Sequence, residues 1–123
     1  MQVYAAEVDT GAPLAASLEA GEPVRVDYQR SFVDGIGGPS ILPEMLELSR
    51  ELLAGTIVVG VDDAANGVRV MAERARVVAE GAAGAGVAAT LSGRAGEGRI
   101  VCIASGGNID LEVLARILRG ESP

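Results

Sequence analysis

The chain has 123 residues, 49% hydrophobic and 22% charged, the composition of one small globular domain with a core of its own. Ten basic residues, every one arginine, stand against 17 acids for a net charge of −7, with one Phe, two Tyr and no Trp; an acidic chain so poor in aromatics lacks what grips phosphates and stacks bases, which excludes a nucleic-acid binder. The absence of His and Lys excludes a Ser-His-Asp triad, a phosphate-loop lysine and any lysine–carbonyl chemistry supplied by this chain itself, and no apolar run approaches the roughly 18 residues of a membrane span.

Gln2–Val8 reads as a strand, and a short helix over Ala12–Ala20 stops at Gly21. Val24, Val26 and Tyr28 alternate with Arg25 and Asp27, the period of a half-exposed strand. Ser31–Ser40 is a glycine-rich loop. Leu42, Met45, Leu46, Leu52 and Leu53 mark an amphipathic helix with Pro43 in its first turn and Gly55 just past its end. Thr56–Val61 is the next strand. Asp62 and Asp63 then cap a helix whose apolar side is Val68, Met71, Ala72, Ala75, Val78 and Ala79. After a break at Glu80-Gly81, the Ala- and Gly-rich segment Ala82–Leu91 suits a helix pressed closely against other backbone. Arg99–Ala104 has the continuous apolar character of a strand buried on both faces, with Cys102 packed inside it. A single cysteine permits neither an internal disulfide nor a cysteine-based zinc cluster. The turn Ser105-Gly106-Gly107-Asn108 leads into a last helix with Leu111, Leu114, Ile117 and Leu118 apolar, ended by Gly120.

This order predicts an α/β layer structure with a mostly parallel sheet, one part of a three-layer sandwich. About four strands are too few to bury two-faced elements such as Arg99–Ala104. The expectation is therefore a missing half, with exposed apolar surface and self-association of the isolated chain.

Chemistry concentrates in three places. The Ser105–Asn108 turn lies where open α/β sheets hold ligands, and its glycines admit a ligand to the backbone ahead of a helix N-terminus. It equally suits a tight turn capped by Asn108 or Asp110. Ser31–Gly38 either brings backbone against a flat ligand or is merely a loop. Glu80 puts a carboxylate among small apolar residues, which points either to a bound partner or to a helix-end acid facing solvent. Glu7, at the end of the first strand, is a weaker candidate.

In sequence order these blocks resemble the C-terminal part of the pyridoxal-phosphate enzymes of the threonine/serine dehydratase family, which includes serine racemase. Val3-Tyr4-Ala5-Ala6-Glu7 followed by Gly11-Ala12-Pro13 resembles the family's strand ending in Glu-Pro with Gly-Ala soon after. Ser31–Gly35 resembles its Thr-Ile-Ala-Asp-Gly segment, and Val77–Ala82 its Val-Val-Glu-Pro-Ala-Gly-Ala segment. Ile103–Asn108 matches its terminal Ser-Gly-Gly-Asn. The resemblance spans residues 1–123 but only about the last two fifths of a family catalytic unit, of fold type II.

The resemblance implies pyridoxal 5'-phosphate as cofactor, with Ser105 bonding the pyridine nitrogen, Gly35 against a ring face, and Glu80 and Gly106 lining the pocket. In metal-activated members the carboxylate matching Glu7 and the carbonyl matching Gly11 bind a divalent cation; Pro13 stands where some members carry a further acidic ligand. Gly81 replaces the usual proline, and Phe32-Val33 replaces Ile-Ala. The lysine that bonds the cofactor and the glycine-rich phosphate cradle lie upstream of the region matched. The implied function is that of a cytoplasmic C-terminal portion of an L-threonine or L-serine ammonia-lyase, inactive alone, with no regulatory domain after it. Its partner would be the missing N-terminal half. The rival expectation is a non-catalytic α/β module that holds an anion at Ser105–Asn108 or pairs through a sheet edge.

Overall fold

A mostly apolar first strand, Tyr-Ala-Ala-Glu-Val, and a β-branched run in the second produce a parallel pair. The computed structural model describes residues 1–121 and 123. Strand β1 (Tyr4–Val8) is followed by helices α1 (Pro13–Ala20) and α2 (Pro43–Leu52), then by strand β2 (Gly55–Val59). The strands pair in parallel from Tyr4 opposite Gly55 to Val8 opposite Val59. Helix α3 (Val61–Val70) runs into a π-helical turn over Met71–Ala75, and α4 (Gly81–Leu91) and α5 (Leu111–Leu118) complete the fold. None of these helices is long and apolar enough to cross a membrane, among the described residues.

One core gathers Val8, Ile57 and Val59 of the sheet against Val33 of the glycine-rich loop, Ala64 of α3 and Ala85, Ala88 and Ala89 of α4. A smaller one joins Ala65 and Val68 of α3 to Leu114 and Ile117 of α5. Helix α4 packs as its composition predicts. A Cβ added to Gly67 would run into the Gly84 carbonyl oxygen, and one added to Gly84 would meet the Ala64 carbonyl oxygen and lie 2.7 Å from Val68 Cγ2. The α3 and α4 backbones touch because neither glycine has a side chain.

Several expectations need correction. Val24, Val26 and Tyr28 are half-buried and Arg25 and Asp27 exposed, as the alternation implies, but no ladder forms there. The segment is held instead by single backbone bonds, Val26 N–H to the Pro39 carbonyl at 2.8 Å and Gln29 N–H to the Thr10 carbonyl at 2.7 Å. Arg99–Ala104 is neither a strand nor buried: Val101 is 89% and Ile103 79% exposed. The described chain supplies no strand beside it, so its apolar side chains face outward. Cys102 is accordingly half-buried rather than enclosed.

The third helix starts at Val61, which was expected to end the strand, with Gly60 rather than Asp62 or Asp63 as N-cap, and Asp63 Oδ2 accepts the Gly60 N–H at 3.2 Å. The helical rise stops at Ala75 because Arg76 adopts a left-handed conformation (φ 59°). Val78 and Ala79 thus lie beyond the helix rather than on its face. Gly55 opens β2 instead of ending α2, whose C-cap is Leu53.

The accessible surface totals 7489 Å². A self-contained monomer of this mass exposes about 6,200 Å². The excess, about a fifth, includes the apolar side chains of Arg99–Ala104.

Candidate functional site

Glu80 is the residue on which the site converges. It is the N-cap of α4, in extended conformation, and its carbonyl accepts the Gly84 N–H at 3.0 Å. Its own N–H donates to the Gly106 carbonyl at 3.0 Å, which ties the start of α4 to the turn before α5. Its side chain is half-buried and passes between two glycines. A Cβ on Gly35 would lie 3.0 Å from Glu80 Oε1 and 3.2 Å from Ala82 Cβ. A Cβ on Gly106 would run into the same Oε1 and lie 2.8 Å from Cδ. The glycines therefore make room for the Glu80 carboxylate. Three of the expected site residues, separated by dozens of positions in sequence, form one cluster.

The neighbouring backbone reinforces this placement. A Cβ on Gly107 would sit 2.8 Å from the Val78 carbonyl oxygen, so the two segments run in contact. Asp110 caps α5, its Oδ1 accepting the Glu112 N–H at 2.8 Å and the Val113 N–H at 3.3 Å. This fixes where the Ser105–Asn108 turn ends and assigns the cap to Asp110 rather than Asn108. Ser105 itself is exposed.

Two departures noted in the sequence lie in contact. A Cβ on Gly81 would lie 2.8 Å from Val33 Cα and 3.0 Å from both Val33 Cγ2 and Phe32 Cε2. Phe32 and Val33 thus fill the space that a ring at position 81 would need. Nothing in the sequence links the two changes, since contact across the fold leaves no local signal.

Glu7 and Gly11 lie apart from this cluster, at the end of β1. Glu7 is 9% exposed, and its oxygens Oε1 and Oε2 accept the N–H groups of Leu14 (2.9 Å) and Ala15 (2.8 Å). Burial pushes its pKa above the ordinary value of 4.5, against the lowering effect of those two hydrogen bonds. A Cβ on Gly11 would lie 2.5 Å from Tyr28 Cδ2. A separate cleft of about 330 Å³ between α3 and α5, lined in part by Asp62, Arg69 and Glu121, involves none of the expected site residues.

Pyridoxal phosphate needs a flat slot bounded by backbone without side chains, and a polar group at its ring nitrogen. The Gly35–Glu80–Gly106 cluster, with Ser105 exposed beside it, fits the side of such a slot. The lysine that bonds the cofactor is not among the residues of this chain.

Comparison with known proteins agrees. The family model for pyridoxal-phosphate dependent enzymes matches residues 1–106. The chain is 34% identical over 123 residues to a putative threonine dehydratase of Sinorhizobium fredii, covering 97% of this chain and 37% of that protein. It is 32% identical over 119 residues to an L-threonine ammonia-lyase of Thermotoga maritima, covering 96% and 30%. Its fold superposes on maize serine racemase with a TM-score of 0.82 at 25% identity, over 96% of this chain and 39% of that one. Threonine deaminase isoform 2 of Solanum lycopersicum shares the fold, with a TM-score of 0.84 at 21% identity over 98% and 36%. The chain spans about a third of the length of the curated relatives it matches. It belongs to the pyridoxal-phosphate dependent enzyme family, in the fold-type II branch of the threonine and serine dehydratases.

Proposed function

We propose that this chain is the C-terminal portion of a threonine/serine ammonia-lyase, which converts L-threonine or L-serine to a 2-oxo acid and ammonia. The observation that carries this reading is the convergence of Gly35, Glu80 and Gly106 beside Ser105. When bound, the cofactor supplies the electron sink that makes the substrate's α-proton acidic and lets its β-hydroxyl depart. Ser105 would hold the pyridine nitrogen by donating its hydroxyl hydrogen to it. A hydroxyl is too weak an acid to hand over that proton, so Ser105 would supply a hydrogen bond there and not a charge. Glu80, fixed by its backbone bond to Gly106, forms the pocket wall, and Gly35 and Gly106 leave the room its carboxylate occupies. A lysine that removes the α-proton comes from outside this chain, which has none.

The excess surface and the outward-facing Val101 and Ile103 support a covering partner. That partner is the lysine-bearing N-terminal portion of the same catalytic unit. A fifth more surface than a closed monomer of this size needs, about 1,300 Å², exceeds the roughly 800 Å² that one side of a standard interface buries.

The test is capture of the tagged chain from its source cells, followed by a visible spectrum of the eluate. A second, lysine-bearing polypeptide that absorbs in the visible and releases ammonia from threonine or serine is expected. A colourless single chain sinks the catalytic reading and leaves a binding module in its place.

A further inference from the structure

The end of β1 holds the two groups, Glu7 and the Gly11 carbonyl, that the resemblance assigns to a divalent cation, and their surroundings do not fit one. Magnesium and calcium take roughly six to eight oxygen ligands, and a ligating carboxylate must have oxygens to offer. Each Glu7 oxygen already accepts one N–H, from Leu14 at 2.9 Å and from Ala15 at 2.8 Å, so a cation would have to share the carboxylate with the end of α1. Those residues are the second and third of α1, whose first N–H groups have no acceptor within the helix. The helix end also carries positive partial charge, which a buried carboxylate satisfies.

The rest of the coordination set is missing as well. Pro13 brings no side-chain oxygen. The Gly11 carbonyl oxygen lies against Gly37, whose added Cβ would stand 3.3 Å from it. Thr10 Oγ1, buried in the same turn without a partner, adds one neutral oxygen. Among the described residues no three acidic, histidine or cysteine side chains gather where they could hold a metal.

We infer that Glu7 is the anchor of α1, its two oxygens accepting the helix N–H groups where metal-activated members hold a cation. The turn from β1 into α1 is therefore built without divalent metal. Proline at the first helical position belongs to the same arrangement: it has no N–H to satisfy, so both carboxylate oxygens go to the next two residues. This holds whether or not the ammonia-lyase reading stands, because it concerns the chain's own fold.

The experiment titrates the full chain with magnesium, calcium and manganese chloride by calorimetry and follows thermal unfolding by circular dichroism in EDTA and in millimolar cation. No saturable heat is expected, and the unfolding midpoint should agree within about 1 °C across conditions. At neutral pH, Glu7→Gln puts an amide NH₂ against one of the two N–H donors and should lower the midpoint by about 5 °C in EDTA and in cation alike. Saturable one-site binding of any of the three cations, or a midpoint that rises with cation, overturns the inference. So does an E7Q midpoint equal to wild type. If E7Q does not fold, the wild-type titration decides alone.

Discussion

Replacing Gly84 by alanine tests the packing of α3 on α4 directly. The new Cβ would collide with the Ala64 carbonyl oxygen and stand 2.7 Å from Val68 Cγ2 and 3.2 Å from Val68 N. Two of these three atoms belong to the backbone of α3, so relief requires the helices to separate by the better part of an ångström. Overpacking of that kind costs up to about 3 kcal/mol. Alanine returns about 1 kcal/mol as a better helix former than glycine, leaving a net loss of about 2 kcal/mol. With an unfolding entropy of about 2.1 cal/mol/K per residue over a chain this long, the midpoint should fall by about 8 °C. Circular dichroism melts of the two proteins provide the assay. Gly38→Ala is the control, since nothing lies within 4 Å of its added Cβ. A Gly84→Ala protein as stable as wild type would refute the backbone contact between the helices.

Three further outcomes are expected. Gly106→Ala meets only the Glu80 side chain at close range, which can swing away, so the melt should change little. In the presence of the lysine-bearing partner, however, visible cofactor absorbance should be lost, as an absorbance titration would show. Gly81→Pro suits the first position of a helix but its Cβ would lie 2.8 Å from the Val33 Cα as well as 3.0 Å from the Phe32 and Val33 side chains; it should cost about 2 kcal/mol, and Phe32→Ile with Val33→Ala should recover only the side-chain part of that loss, which a mutant cycle measures. Glu7, whose folded pKa is raised by burial, binds its proton more tightly in the folded than in the unfolded chain. Its protonation therefore favours folding below pH 4.5, and that contribution is lost as pH rises from 4.5 through the raised folded value. Denaturant midpoints across that interval should fall more steeply with pH in wild type than in Glu7→Gln.

Local signals carried the helices well. Pro43 at a first turn, the Ala-Gly run of α4 and Gly120 past the end of α5 each act within a few residues of themselves, and each element formed there. The strands were harder to read. Arg99–Ala104 has the hydrophobicity of a buried strand, but a strand needs a neighbour to pair with, and hydrophobicity cannot reveal whether one is supplied. Val24–Tyr28 kept its alternating burial without a ladder for a related reason. Of the candidate site, Gly35, Glu80 and Gly106 were legible through their motifs, and the structure brings them together. The two N–H groups that occupy Glu7 come from the following helix, and a carboxylate reads the same whether it caps or coordinates.

The contact of Phe32 and Val33 with Gly81 also joins two stretches of chain that are far apart in sequence. A Cβ at position 81 would lie 2.8 Å from the Val33 Cα and 3.0 Å from the Phe32 and Val33 side chains, so no larger residue enters there unless the glycine-rich loop itself shifts. The loop and the start of α4 therefore behave as one mechanical unit, and a displacement of either is felt by the other.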